Sequence, residues 1–423
     1  MTPRLLAFFV GLAVVLTLLV TYVVRRVARA SGLGPRGHNV ALGVALVAVL
    51  LPILARLGGW TARNIAGGMV AQVGFAVGLT ILISAGMLIP LDVTRLIGRG
   101  LSRAWAALTR DRSAKAPIGP VETAAPLEVV APPAPPELGR RAFLERAYVG
   151  TAVALGSGTS VYGIAIGRRD YVLEQVPIPV RGLPRSLDGY TIVQLSDLHV
   201  GTFVGEHELA AALDHARSAR PDLIVLTGDL VDNDGRYAEQ LGRFARQLGS
   251  LGARDGVVAI AGNHDYYAGI DDVLGALRRA GADVLRNQGR VIGDRGGSFS
   301  LLGVDDVWAE RNGYGTRTDL AAALRTLGEE GERDRARILL CHNPEYFPEA
   351  SAHVDLQLSG HTHGGQVNFL IRPADLVLPH GYIAGHYHRG ASQIYVNRGF
   401  GTAGPPARVG SPPEISRIVL TSA

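Results

Sequence analysis

The chain has 423 residues, with 42 Lys+Arg against 37 Asp+Glu for a net charge of +5, 47% hydrophobic and 19% charged residues, and a mean hydropathy of +0.19. Positive mean hydropathy, with charge below the roughly 25% of an ordinary soluble domain, excludes a disordered chain and points to a membrane-embedded portion. The 54 Gly and 23 Pro follow no triplet period, which excludes collagen, and the lone Cys341 cannot make an intrachain disulfide.

Charge divides the chain near residue 170. Residues 1–169 hold 18 basic and 6 acidic side chains, a net of +12, whereas 170–423 hold 24 and 31, a net of −7. Residues 1–94 carry three apolar runs, at about 5–24, 40–55 and 69–93, expected to be transmembrane helices because ~20 apolar residues cross a bilayer core. A cleaved signal peptide would leave only one such run. Residues 95–146 are basic, then Pro/Ala-rich at Ala131–Pro136, as in an extended linker. The linker ends in Gly139-Arg140-Arg141-Ala142-Phe143-Leu144, and 147–169 is weakly apolar. We expect a fourth membrane helix there, with an internal twin-arginine-like export signal as the alternative.

Sidedness follows from the arginines. Four basic residues fall in 25–39, two in 56–68 and nine in 95–146. With the N-terminus outside, the two richest segments lie in the cytoplasm, satisfying the positive-inside rule. The domain from about 170 onward is then extracytoplasmic, in a multi-pass inner-membrane protein. Arg168 and Arg169 run against this orientation.

From Val176 the texture changes. Short apolar runs such as Thr191–Leu195, Leu223–Leu226, Val257–Ile260 and Ile338–Leu340 read as buried strands. Between them lie helical patterns at Glu206–Arg220, Tyr237–Leu251 and Asp272–Ala280. Alternation of this kind predicts an α/β domain over 170–423, with helices covering the sheets and ligands gathered beyond strand ends. Polar clusters fall at those ends: Ser196-Asp197-Leu198-His199, Gly228-Asp229-Leu230-Val231-Asp232, Gly262-Asn263-His264-Asp265, Cys341-His342-Asn343 and Gly360-His361-Thr362-His363. Carboxylates and imidazoles ligate Mn²⁺, Fe or Zn²⁺ at mixed N/O sites, and the absence of Cys pairs argues against structural zinc.

These five segments, in this order across about 187–366, resemble the calcineurin-like metallophosphoesterase superfamily, and its bacterial membrane-associated branch in particular. The likeness continues through Gly364-Gly365-Gln366, Arg398–Thr402, Arg408 and Pro412-Pro413-Glu414. The resemblance implies a metallophosphoesterase sandwich, sheets flanked by helices, preceded here by a bundle of three to four transmembrane helices. It also implies two divalent ions, one held by Asp197, His199 and His363, the other by Asn263, His342 and His361, with Asp229 bridging. Such a pair traps a hydroxide nucleophile and clamps the phosphate oxygens. His264 would act on the leaving group as general acid or electrostatic stabiliser, with Asp232 paired to it.

Other polar groups read more plainly. Asp265 is expected to be structural, Gly360, Gly364 and Gly365 to form tight turns, and Cys341 to be a buried small hydrophobe. His380, His386 and His388 are expected on a solvated loop, and Tyr266, Tyr267 and Trp308 either in the pocket or in the core.

The site implies hydrolysis of a phosphodiester, phosphomonoester or pyrophosphate, but does not name the substrate. Asp232 is followed by Asn233-Asp234-Gly235, not by the Arg-Gly of the superfamily's phosphoprotein phosphatases, which argues against a protein substrate. A net −7 disfavours long nucleic acids, and no protein partner is evident. Membrane tethering points to the lipid bilayer as partner and to a lipid-linked or envelope phosphoester as substrate. A UDP-2,3-diacylglucosamine-type pyrophosphate hydrolase is the alternative, and it would need cytoplasmic access. A catalytically silent membrane sensor or scaffold is the reading of a different class.

Overall fold

The computed structural model describes residues 3–57, 65–109, 139–294, 296–328, 335–378 and 380–423. The Pro/Ala-rich part of the expected linker lies outside the described residues. The chain forms two compact units, 1–50 with 77–158 and 51–76 with 159–423.

Four long helices precede the α/β domain: α1 (Pro3–Ser31), α2 (Pro35–Leu57), α3 (Ile65–Leu108) and α4 (Arg140–Ala165). Each contains a stretch long and apolar enough to cross a membrane, where only helices or closed barrels satisfy every backbone polar group. Val20, Val23, Val24, Val49, Ile81 and Ala85 pack into one apolar cluster. Arg26 is buried and pairs with Asp92 at 3.2 Å and with Glu145, while the Tyr22 hydroxyl donates to Asp92 at 2.8 Å. Mutual pairing offsets the cost of ionised groups in an apolar bundle. Helix α3 runs 15 residues past the end expected at 93, because Leu96, Ile97, Leu101, Trp105 and Leu108 keep a helical spacing, which carries the helix through Gly98 and Gly100, and no proline follows Pro90 before Leu108. Helix α4 begins at Arg140, so the paired arginines form its first turn instead of ending a linker.

In the second unit the order is β1 (Val172–Val180), β2 (Thr191–Leu195), α5 (Glu206–Ser218), β3 (Leu223–Thr227), α6 (Ala238–Gly249), β4 (Val257–Ile260), α7 (Asn263–Arg279) and β5 (Asp283–Val284). Then follow β6 (Gln288–Asp294), β7 (Gly297–Gly303), α8 (Val307–Arg311), α9 (Leu320–Arg325), β8 (Arg337–Leu340), α10 (Phe347–Ala350) and β9 (Leu356–Ser359). The chain closes with α11 (Ala374–Val377), β10 (Gly385–Arg389), β11 (Ser392–Val396) and β12 (Glu414–Ser422).

Two six-stranded sheets form, ordered β1-β12-β2-β3-β4-β5 and β10-β11-β9-β8-β7-β6. Strands β2 to β5 are parallel, and β12 enters antiparallel beside β2. In the second sheet β7, β8, β9 and β11 are parallel, with antiparallel hairpin strands at both edges. Alternation decides the layers. Leu223 and Val225 of β3 face the second sheet and pack with Leu301, Ile338, Leu340, Leu356 and Leu358. Ile224 and Leu226 face outward into a core shared with Leu209, Phe244 and Leu277 of the covering helices. This is the α/β sandwich expected from the sequence. Helix α7 corrects one boundary: it starts at Asn263, not Asp272, with a kink at Gly269 (φ 108°, ψ 89°). That break hides the first turn from a periodicity reading.

Candidate active site

Strands β2, β3, β4, β8 and β9 end side by side, and the sequence-predicted residues follow each of those ends. Five of them, Asp197, His199, Asp229, His361 and His363, have left-handed backbones (φ 51°, 46°, 51°, 72° and 50°). Non-glycine residues rarely adopt that conformation, and it persists where surrounding structure imposes it. Each turn redirects the chain at the strand end and aims the side chain inward. Gly360 permits the closest approach, since a Cβ there would collide with Ser196 Oγ and Asp197 Oδ2. Gly364 (φ 58°) and Gly365 (φ 81°) form the expected tight turn.

The donors converge as two groups, joined by a third made of His199, Asp229 and His264. Asp197, His199 and His363 bring ligand atoms together, as do Asp229, His342 and His361, every atom of a group lying within 4.8 Å of the others. His363 Nε2 lies 3.2 Å from His199 Nε2 and 3.4 Å from Asp197 Oδ1. His342 Nε2 lies 3.2 Å from His361 Nδ1 and 3.2 Å from Asp229 Oδ2. Asp229 also sits 3.7 Å from His199 Nε2, so its carboxylate stands between the groups. Asn263 is buried beside them on the first turn of α7, and its Oδ1 has no hydrogen-bond partner among the described residues.

The electrostatics fit metal ligation. Burial pushes His361 down to about 3 and holds His199 and His363 well below the ordinary histidine value, so these rings are uncharged. Burial alone would raise Asp229, but His342, His264 and His199 outweigh it and hold the carboxyl well below its usual range. The Nδ1 of His342 lies 2.8 Å from the Thr227 carbonyl. Donation there directs the other ring nitrogen at Asp229 and His361, the usual orientation of a metal-binding imidazole. Burial would lower His342, but Asp229 and Asp197 push it well above the ordinary histidine value, so it must release a proton to ligate. With that exchange, an orphaned buried amide oxygen and four imidazoles around buried carboxylates form a donor set suited to two divalent ions.

His264 follows Asn263, and its backbone N–H donates to Asp229 Oδ1 at 2.8 Å. Its ring lies edge-on to His199, centroids 4.7 Å apart, and 5.5 Å from Tyr267. Its Nδ1 is 3.8 Å from Asp232 Oδ1 and makes no hydrogen bond. The expected pairing is therefore at ion-pair range, and Asp232 instead accepts from Asn233 Nδ2 at 2.8 Å. Asp265 takes a structural place, accepting backbone N–H groups of Leu230, Val231 and Gly262 at 2.8–3.0 Å. Cys341 is fully buried in an apolar cluster with Leu302, Leu339 and Tyr346.

A cleft of about 270 Å³ opens over the donors, walled by His264, Trp308, His361, His363 and Leu378. Trp308 stands edge-on to His361, centroids 4.4 Å apart. Tyr266 is core, its hydroxyl donating to Asp305 at 2.8 Å. His386 and His388 are exposed on strand β10, which corrects the solvated-loop expectation for these two.

One residue has a role that sequence reasoning missed. Arg408, in the C-terminal tail, is 1% exposed, and its guanidinium donates to the carbonyls of His363, Arg398 and Gly399 at 2.7–3.0 Å and approaches His363 Nδ1 at 3.0 Å. It lies 45 positions beyond its histidine, and no spacing rule connects them.

Comparison with known proteins agrees with this geometry. Residues 190–365 match the family described as calcineurin-like phosphoesterase. The chain is 31% identical over 294 residues to the Bacillus subtilis metallophosphoesterase YkuE, an alignment covering 68% of this chain and 99% of that protein. It is 34% identical over 255 residues to an Aquifex aeolicus metallophosphoesterase, covering 59% and 91%. A zebrafish (Danio rerio) transmembrane protein with metallophosphoesterase domain is 34% identical over 281 residues, covering 64% and 62%. The chain thus belongs to the calcineurin-like metallophosphoesterases and is a metal-dependent phosphoester hydrolase.

Proposed function

We propose that this protein is a membrane-anchored, dinuclear metal-dependent phosphoesterase whose catalytic domain faces away from the cytoplasm and hydrolyses a lipid-linked or envelope phosphoester. Convergence of Asp197, His199, Asp229, Asn263, His342, His361 and His363 at the floor of one cleft carries this reading. Two divalent ions bound there supply a nucleophile drawn from water and neutralise the charge that builds on the phosphoryl oxygens. Asp229 accepts from the His264 N–H and so fixes the start of α7 against the metal-binding floor. His264 presents its ring at the cleft wall, where it donates a proton or a hydrogen bond to the departing oxygen. Trp308 and Leu378 present apolar surface along one side of the cleft. Arginines in 25–39 and 95–146 support the orientation.

The test is an assay of the full chain, purified in nanodiscs and loaded with Mn²⁺, Fe or Zn²⁺, against an aryl phosphodiester, a phosphomonoester, phospholipids and lipid-linked pyrophosphates. We expect hydrolysis of the aryl diester and of at least one lipid-borne ester. Absence of all turnover in a metal-loaded sample would overturn the enzymatic role. A reporter fused after Ala423 that works only in the cytoplasm would overturn the orientation.

A further inference from the structure

Among the described residues after 170, every exposed large aliphatic side chain lies on one segment: Leu370, Ile371, Leu376 and Val377, at 88%, 64%, 82% and 75% exposure. The other large aliphatics described in this acidic domain are buried or half-buried, so four exposed ones on one short stretch form a concentrated apolar surface. The segment's base is fixed. Asn368 Nδ2 donates to the carbonyls of Gly364 and Gly410 at 2.9 and 3.2 Å, and Leu370 takes a left-handed turn at φ 63°. Its far end enters the site, because Leu378 lines the cleft with His264 and His361. The apolar tip therefore stands at the mouth of the catalytic cleft.

The base also meets the end of a membrane-length helix. The Arg408 N–H donates to the Gly163 carbonyl in the last turns of α4 at 3.0 Å, and Val409 donates to Gln366 at 2.9 Å while accepting from Asn368 at 2.8 Å. One short segment, Arg408–Val409, thus holds both the end of α4 and the root of the apolar stretch. That end of α4 exposes Val161, Tyr162 and Ile166 and is followed by Arg168 and Arg169, the mixture of apolar, aromatic and basic side chains that settles at a membrane–water interface.

We infer that residues 369–378 are a lip seated in the lipid surface, lowering Leu370, Ile371, Leu376 and Val377 into the bilayer so that a phosphoester with an apolar tail passes along Leu378 to the metal-binding floor. This rests on the membrane anchoring and lipid-borne substrate proposed above. The bilayer is the occupant because the chain carries its own membrane-length helices and the last turns of one are hydrogen-bonded to the root of the lip.

Two measurements on the full chain in nanodiscs decide it. Cys341 is buried, so Leu376→Cys supplies the reactive thiol for an environment-sensitive fluorophore. Quenching by spin-labelled phospholipid, with protection from aqueous iodide, is the expected result; iodide quenching without lipid quenching overturns the lip. Second, Leu370→Ser, Ile371→Ser, Leu376→Ser and Val377→Ser combined should lower kcat/KM on a lipid-borne phosphoester by about tenfold or more. Turnover of a soluble aryl phosphodiester and metal content should stay within about twofold, a change too small to signal a damaged site. Equal loss on both substrates, or no loss on either, overturns it. If lipid quenching occurs but wild type cleaves only the aryl ester, the lipid-substrate reading fails and the seat stands.

Discussion

The guanidinium of Arg408 lies 3.0 Å from Nδ1 of His363 and donates to the same residue's carbonyl at 2.8 Å. A guanidinium has no lone pair to offer, so Nδ1 must accept. A neutral, metal-free His363 ring then carries its proton on Nε2, the atom facing Asp197 and His199, so a metal bound there must displace that proton. His342 shows the opposite arrangement, with a carbonyl behind its Nδ1.

Arg408 therefore acts as a positioning residue, gripping a ligand's ring and main chain together. Groups that orient metal ligands are worth about 10–100-fold in metal affinity. Arg408 holds the main chain at His363, Arg398 and Gly399, so Arg408→Ala is expected to lose affinity on that scale by releasing the backbone of this candidate ligand, with Arg408→Lys recovering only part because lysine lacks the planar fork. Metal titration followed by calorimetry reads this directly. Unchanged affinity in Arg408→Ala would assign the residue to folding of the tail alone.

His264→Asn should lower kcat by about 10²–10⁴-fold on an ester with a poor leaving group, and less on an activated aryl ester. Metal content should be unchanged. A proportionate loss of bound metal would place His264 among the ligands instead, as its proximity to His199 and Asp229 allows.

Asp265 ties the β3 turn to the start of α7 through three backbone N–H groups. Burial, then the charge of Asp229, pushes its carboxyl up to about 7. Asp265→Ala leaves three buried donors without an acceptor, at about 1–3 kcal/mol each as an upper range. The full chain should unfold at lower denaturant concentration, with metal-loaded activity falling in step with the folded fraction. Full stability in this variant would show that water replaces the carboxylate.

Glu208 closes the first turn of α5, accepting from the Gly205 N–H at 3.1 Å and pairing with Arg169 at 3.1 Å. Burial alone would raise its pKa, but the Gly205 N–H and Arg169 prevail and hold it below the usual glutamate value. A carboxyl depressed by folding lends stability that is fully present above its unfolded value of about 4.3 and lost as pH falls through the folded one. Glu208→Gln should therefore unfold more easily than wild type at pH 7, by about 1 kcal/mol. The two should converge in thermal unfolding as the pH drops below about 4. Parallel curves at all pH values would mean the charge contributes nothing.

The chain announced its parts through local signals. Apolar runs of bilayer length mark α1 to α4, and short β-rich runs mark β2, β3, β4 and β8 within a residue, because periodicity and burial act on neighbours in sequence. The candidate metal ligands were legible for the same reason: each falls in a compact motif just past an apolar strand. Extents set by continuation were less so. Helix α3 outran its apolar run along an amphipathic stripe, and α7 began nine residues early behind the Gly269 kink.

What the tertiary structure decided is which distant groups meet. The left-handed turns at Asp197, His199, Asp229, His361 and His363 have no sequence mark, since only surrounding contacts hold non-glycine residues there. Arg408 reaches His363, and Asn368 bridges Gly364 and Gly410, because β12 returns antiparallel beside β2 and brings the tail back over the strand ends. The sequence by itself determined a phosphoesterase domain preceded by membrane-length apolar helices, with these candidate ligands. Long-range pairing, which no local spacing encodes, decided how those ligands are braced and that the exposed aliphatics stand at the mouth of their cleft.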